Sequence, residues 1–208
     1  MRLVNDACAA CAGEVLFGAA VGLRRALYLT ISTGIGGGAV MGGALLRGDR
    51  GNVAEFGHTV VRPDGPLCDC GAQGCLEAMA SASGLYHRFV AAGLLEEQER
   101  GWADLGYWLK DRLESGDQDV ARIWDDALSC LAVGLVNLWN SFVPQAIVLG
   151  GGLSALVQDA SDKLLAELDR RACLMPVPEG VIRFSENRHT IPLLGAAGVA
   201  GGWLPVEG

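Results

Sequence analysis

Basic residues are in short supply: 16 Lys and Arg stand against 24 Asp and Glu in 208 residues, giving a net charge of −8 and an isoelectric point near 4.8. An acidic chain with no basic stripe excludes direct nucleic-acid binding by this segment. The opening run Met1-Arg2-Leu3-Val4-Asn5-Asp6 has no apolar h-region, so no secretory signal is expected there. No apolar run reaches membrane length. The longest, from Ala127 to Trp139, is broken by Ser129, Gly134 and Asn137 and reads as a buried helix. There is no internal repeat, no low-complexity linker and no Gly-Lys-Ser/Thr to close a Walker A loop. What is present is a half-hydrophobic chain of mean hydropathy +0.29, enough for one good core or two small lobes.

Glycine is abundant instead. Its 30 residues are about twice the average share, and they cluster in short loops after apolar runs, as in nucleotide-binding α/β proteins. Three of the seven cysteines also cluster: Cys68, Cys70 and Cys75, with His58 ten residues upstream of the first. Three thiolates and one imidazole are the ligand set of a closed tetrahedral zinc site; free buried thiols are the alternative. The intervening Arg62-Pro63-Asp64-Gly65-Pro66 reads as a turn that returns the chain so that His58 meets the thiolates. The odd thiol count and zinc-like spacing point to a reducing, cytoplasmic home. Glu55 lies three residues before His58, and Glu77 two after Cys75. A zinc clamp fixing two carboxylates side by side suits a polyol or sugar pocket.

Along the chain, Asn5 or Asp6 caps an Ala-rich helix running to Gly18, with Cys8 and Cys11 as small core hydrophobes. Capping alone also accounts for Asp6. Leu27, Leu29 and Ile31 alternate with Tyr28, Thr30 and Ser32 as a strand. The spacing predicts a glycine loop over 34–38, then a short strand, a glycine turn and a third strand within 39–46. Beside Ser32 and Thr33, that loop offers N–H groups and hydroxyls to a phosphate; a hairpin needed only for packing is the alternative. Residues 47–57 read as a polar loop and Thr59–Val61 as a short strand. Helices are expected over 78–92, with His87 at its surface, and over 103–114, 118–141, about 159–172 and 193–203. Gln145–Leu149 reads as a strand buried on both faces, running into Gly150-Gly151-Gly152, where a ligand can approach the backbone. Val181–Phe184 is a further strand. His189 carries no assignment.

Five motifs in this order resemble the ROK family (repressors, open reading frames, kinases) of the actin-like ATPase superfamily: Asn5-Asp6-Ala7, Ser32-Thr33-Gly34-Ile35-Gly36-Gly37-Gly38, Glu55-Phe56-Gly57-His58, Cys68-Asp69-Cys70-Gly71 with Gly74-Cys75-Leu76-Glu77, and Leu149-Gly150-Gly151-Gly152. The resemblance implies an α/β, actin-like (ribonuclease H-like) domain, a mixed sheet flanked by helices with a structural zinc loop at 55–77. It implies Asp6 as catalytic base, with Asn5, Glu55, His58 and Glu77 on the sugar hydroxyls. Thr33 and Gly34 would form a phosphate turn, and Gly150, Gly151 and Gly152 would face adenosine. His58, Cys68, Cys70 and Cys75 would hold Zn²⁺, and Mg²⁺ would accompany ATP. The family usually has Asn where this chain has Cys8. Its kinases carry an Asp-x-Gly-Gly-Thr loop on an N-terminal lobe; that motif is nowhere in this sequence, so residues 1–208 are expected to be the C-terminal lobe, with impaired catalysis in isolation.

Two functions follow as expectations: an ATP-dependent, glucokinase-like hexose kinase, or the sugar-sensing domain of a ROK repressor. A non-catalytic zinc domain used for dimerisation is a third. A hexose or an N-acylhexosamine would suit the polar set, and a homodimer or tetramer is expected, with no membrane partner.

Overall fold

The alternation in Ala26–Ile31 (β1) makes it the strand about which both layers of the protein assemble. Leu27, Leu29 and Ile31 point into one apolar cluster, whereas Ala26 and Tyr28 point into another across the sheet. The computed structural model describes residues 5–48, 53–97, 101–187 and 189–207. Six strands form a sheet in the order β5-β4-β1-β2-β3-β6: β2 is Ile35–Met41, β3 Ala44–Leu46, β4 Ala146–Gly150, β5 Ile182–Phe184 and β6 Val206–Glu207. The sheet is mixed. β1 is antiparallel to β2 and parallel to β4, β2 is antiparallel to β3, and β4–β5 and β3–β6 are parallel. β4 lies wholly buried, with Ile147 and Leu149 in one cluster and Val148 in the other, as its unbroken apolar run requires.

Helices α1 (Asp6–Phe17) and α8 (Ile191–Ala200) cover one face of the sheet. Gly195 and Gly13 bring them close: a Cβ on Gly195 would lie 1.8 Å from the Ala9 carbonyl oxygen. The other face carries α2 (Leu76–Ala80), α3 (Ala82–Ala91), α4 (Leu105–Glu114), α5 (Gln118–Phe142), α6 (Ser154–Asp159) and α7 (Ser161–Arg171). α5 lays Val120, Trp124, Leu128, Leu131 and Leu135 into the larger cluster at three- and four-residue steps.

Four expectations need correction. Gly36, Gly37 and Gly38 are not a loop; they lie within β2. The strand is glycine because it is squeezed from both sides: a Cβ on Gly38 would sit 2.6 Å from Cys11 Cβ, and one on Gly37 would sit 2.3 Å from the Ala54 carbonyl oxygen. Phe56–His58 forms a short 3-10 turn and Thr59–Val61 forms no named strand; Val60 makes only an isolated antiparallel bridge to Cys75. The expected helix over 78–92 begins at Leu76 and is two helices. Ser81 ends α2 in an extended conformation and caps α3 by accepting from Gly84 N–H at 3.0 Å. The helix expected over about 159–172 forms as α7, with the short α6 added before it, but the last helix is placed earlier than expected, at Ile191–Ala200. Part of the expected 47–57 loop, residues 49–52, lies outside the described residues.

Candidate functional site

Parallel pairing of β1 and β4 puts the carboxyl ends of both strands at the same end of the sheet, the place where open α/β sheets bind ligands. The loop after β1 is Ser32-Thr33-Gly34, a tight turn in which Ser32 N–H donates to the Gly34 carbonyl at 2.9 Å. The loop after β4 is Gly151-Gly152. Gly151 has φ +90°, and its backbone lies against Thr30 and Ile31, so Leu153 N–H reaches the Ile31 carbonyl at 2.9 Å. Gly150 closes β4 itself, so of the three glycines only Gly151 and Gly152 lie beyond the strand.

α1 starts at this same end. The Asn5 side chain caps it, accepting from Ala7 N–H at 2.8 Å, and the exposed Asp6 carboxylate also accepts from Ala7 N–H at 2.8 Å. A carboxylate at the first turn of a helix sits favourably at the positive end of its dipole. Ala7 packs against Gly36 near the start of β2, which fixes Asp6 beside the β1–β2 turn. On the opposite side of β2, Gly37 and Ile35 receive the segment that carries Glu55 and His58: a Cβ on Gly57 would lie 1.9 Å from the Ile35 carbonyl oxygen. Ala54 holds φ +60° immediately before Glu55, a left-handed conformation uncommon for alanine. Burial, and then the charges of Glu55 and Asp6, push the Cys8 thiol up.

The cluster foreseen in the sequence is assembled. One ligand atom each from His58, Cys68, Cys70 and Cys75 lies within 4.8 Å of the others. The Cys70 and Cys75 sulfurs are 3.6 Å apart, and Cys68 Sγ is 3.7 Å from His58 Nδ1. A tetrahedron of Zn–S bonds has an edge of about 3.8 Å, so the donor set, its number and its spacing fit zinc. Burial pushes the Cys75 thiol up to about 12 and raises that of Cys68, while an N–H from Ala72 lowers the exposed Cys70. Two buried thiols held neutral by their surroundings are the state a cation would convert to thiolate. His58 uses Nδ1 toward the sulfurs, which leaves its other ring nitrogen out of the cluster; its side chain is 36% exposed.

Glu77 joins this cluster to the turn after β1. Its Oε2 accepts from Ile35 N–H at 2.8 Å, while Oε1 lies 3.9 Å from both His58 Nδ1 and Cys68 Sγ. The α2–α3 corner grips the same turn: Ala82 N–H donates to the Ser32 carbonyl at 2.8 Å, and Ser83 donates to the Thr33 carbonyl from N–H at 3.1 Å and from Oγ at 2.8 Å. Sequence reading missed Ser83. A Ser-x-Ser at a helix start is a local capping signal, and only the fold shows that its second serine reaches a turn 50 residues earlier. His87 is exposed on α3, with its ring near Tyr86 and Trp102, and takes no part in the cluster. His189 is exposed in a turn. Cys8 and Cys11 are buried against β2 and β1, as small core residues.

Comparison with known proteins places the chain in a family. A family profile described as "ROK family" matches residues 1–201. A glucokinase of Thermotoga maritima is 40% identical over 162 residues, 73% of this chain and 50% of the relative. A ROK hexokinase of Thermus thermophilus superposes with a TM-score of 0.83 at 36% identity, over 93% of this chain and 62% of that one. A ROK glucokinase of Streptomyces griseus, solved in complex with glucose and AMPPNP, gives a TM-score of 0.78 at 32% identity, over 95% and 67%. The chain thus spans half to two thirds of the length of these relatives. With the profile matched over almost its whole length and the mixed sheet of the solved ROK kinases reproduced, the chain belongs to the ROK family.

Proposed function

We propose that this chain is the sugar-facing, C-terminal lobe of an ATP-dependent hexose kinase of glucokinase type. The observation that carries the reading is convergence. Asp6 beside Ala7 on Gly36, the segment carrying Glu55 and His58 against Ile35, and Glu77 on the Ile35 N–H all lie toward the sheet end where the Thr33–Gly34 turn and the Gly151–Gly152 loop follow β1 and β4, although they come from sequence positions up to 146 apart.

Asp6 is the base in this reading. Its exposed carboxylate takes the proton of one sugar hydroxyl as that oxygen forms a bond to the γ-phosphorus of ATP; the bond from that phosphorus to the β-phosphate oxygen breaks, and ADP leaves. Such transfer needs chiefly positioning and charge stabilisation, with one residue to orient the nucleophile. Asn5, Glu55, the free nitrogen of His58 and Oε1 of Glu77 orient the sugar. N–H groups of Thr33 and Gly34 face the phosphates, and Gly150 at the end of β4 with the Gly151–Gly152 loop faces adenosine. Mg²⁺, arriving with the nucleotide, supplies charge neutralisation. His58, Cys68, Cys70 and Cys75 hold a structural Zn²⁺. The sugar is a hexose or an N-acylhexosamine. The protein is cytoplasmic and self-associates as a dimer or tetramer, a reading supported by Leu193, Leu194 and Trp203 exposed on and beyond α8. Among the described residues, no helix is long and apolar enough to cross a membrane.

The test pairs Asp6→Asn with wild type in the longest form of the protein, using calorimetry with glucose and with N-acetylmannosamine beside a coupled ADP-release assay. The expected result is sugar binding within about twofold of wild type and turnover reduced by at least about 10²-fold, the usual contribution of a general base. Turnover unchanged by Asp6→Asn refutes the assigned role.

A further inference from the structure

The zinc turn is held at a second point, away from its four ligand atoms. Arg62, in the arm between His58 and Cys68, lays its guanidinium against Asp126 of α5 in a two-pronged contact, Nη1 to Oδ2 at 2.9 Å and Nη2 to Oδ1 at 2.5 Å. Arg88 of α3 donates from Nη2 to Asp126 Oδ2 at 2.5 Å and from Nη1 to the carbonyl of Met79, in the last turn of α2, at 2.8 Å. Arg88 and Asp126 are largely covered, with side chains 16% and 29% exposed. One carboxylate therefore joins the zinc arm, the longest helix and the helix pair that carries Glu77. Burial alone would raise the Asp126 carboxyl, but Arg62 and Arg88 outweigh it and hold it below the usual carboxylate range.

The arm needs such a tie. Its backbone bonds to the returning chain are Val61 and Arg62 N–H donating to the Gly74 carbonyl, Gly74 N–H to that of Pro66, Cys68 N–H to that of Ala72 and Leu76 N–H to that of Thr59, and none of these reaches α3 or α5. Its own apolar cluster is small: Cys68, Cys75 and Ala78 with Ala72 beside them. We infer that Asp126, acting through Arg62 and Arg88, is a positioning residue that locks the zinc turn onto α5 and α3, keeps His58 in register with Glu77 and slows loss of the metal. The inference rests on the zinc reading above.

Neutralising Asp126 removes more than one contact. It leaves two guanidiniums facing each other across a partly dry gap, so the arm is pushed off α5 as well as released from it. Asp125, one residue earlier on α5, provides the control. It pairs with Lys163 of α7 at 2.8 Å and touches nothing on the zinc arm in that pairing.

The experiment follows zinc release from the purified protein into excess 4-(2-pyridylazo)resorcinol, for wild type, Asp126→Asn, Arg62→Gln, their double variant and Asp125→Asn. One zinc per chain is expected throughout. Release is expected to be roughly tenfold faster in Asp126→Asn and Arg62→Gln, the low end of what outer partners of metal ligands contribute, no faster again in the double variant, and unchanged in Asp125→Asn. Arg62→Gln serves as the second variant should Asp126→Asn fold poorly. Release at the wild-type rate from both single variants overturns the inference while leaving the zinc reading intact, as does equal acceleration in Asp125→Asn. Wild-type protein that binds no zinc overturns both.

Discussion

Gly71 and Gly74 sit in the same turn of the zinc arm and are glycine for different reasons. Both hold positive φ, +90° and +70°. A Cβ on Gly71 would meet nothing within 4 Å, whereas one on Gly74 would fall 1.4 Å from the Arg62 carbonyl oxygen. That oxygen is backbone, so no side-chain rotation makes room. Gly71→Ala is expected to cost about 1–2 kcal/mol of left-handed strain and to keep its zinc. Gly74→Ala must drive Arg62 away from the returning chain; it is expected to cost upward of about 4 kcal/mol, the range reserved for a few severe mechanisms, and to leave less than one zinc per chain. Urea unfolding with metal analysis of both variants checks this; equal losses in the two would refute the distinction. Sequence reading placed both glycines within the cysteine motifs, Cys68-Asp69-Cys70-Gly71 and Gly74-Cys75-Leu76-Glu77. It could not separate them, because the atom that makes Gly74 obligatory belongs to a residue twelve positions upstream.

Helix α5 shows how far periodicity carries a sequence reading. Its span was legible because apolar residues recur at three and four; the cap at its start, Asp117, is a finding of the structure. The Asp117 carboxylate accepts from the N–H groups of Asp119 and Val120. The Val120 bond, with the charge of Arg112, outweighs burial and holds the Asp117 carboxyl below the usual aspartate range. A folded value below the unfolded one fixes the sign. The cap's contribution is complete above the ordinary aspartate range and is lost as pH falls through the lowered folded value, below about 4. Asp117→Ala is therefore expected to melt below wild type at pH 7, with the gap closing as pH is lowered from about 4.5 to about 2.5. A gap that stays constant through that window would exclude the carboxylate as its source. β2 and the α2–α3 pair were the least legible elements. Three consecutive glycines argue locally for a loop, and only packing by Ala7 and Cys11 on one side and Ala54 and Phe56 on the other makes them a strand. Nothing within residues 78–92 forces a break at Ser81; the need to grip the Ser32-Thr33-Gly34 turn does.

The site as an assembly was legible as a set of motifs and not as a geometry. Each motif carried its chemistry in its residue types, and His58, Cys68, Cys70 and Cys75 could be grouped by spacing alone. That Glu77 spends one oxygen on Ile35 N–H and aims the other at the cluster follows from the sheet, which brings the start of β2 under the zinc turn. The protein is consequently two regions of unequal robustness. The sheet and its helices hold two extended apolar clusters, in which Leu27, Leu29, Ile147, Val148 and Leu149 are fully covered. The zinc arm has a handful of backbone bonds, one small cluster and the Arg62–Asp126 tie. Local opening costs least where buried contacts are few, so removing the metal should unfasten the arm without unfolding the sheet. Hydrogen exchange followed by mass spectrometry, before and after chelation, is expected to show residues 58–75 losing protection by at least about tenfold, as loss of roughly 1.4 kcal/mol or more implies. β1 and β4 should stay protected, and the 32–35 turn should loosen to an intermediate degree because Glu77 is one of its fasteners. Were β1 and β4 to lose protection together with the arm, zinc would be holding the whole sheet, and the division into a self-sufficient core and a metal-dependent arm would be wrong. Were the arm to keep its protection, Arg62, Arg88 and Asp126 would suffice to hold it, and the metal would be left only the task of orienting His58.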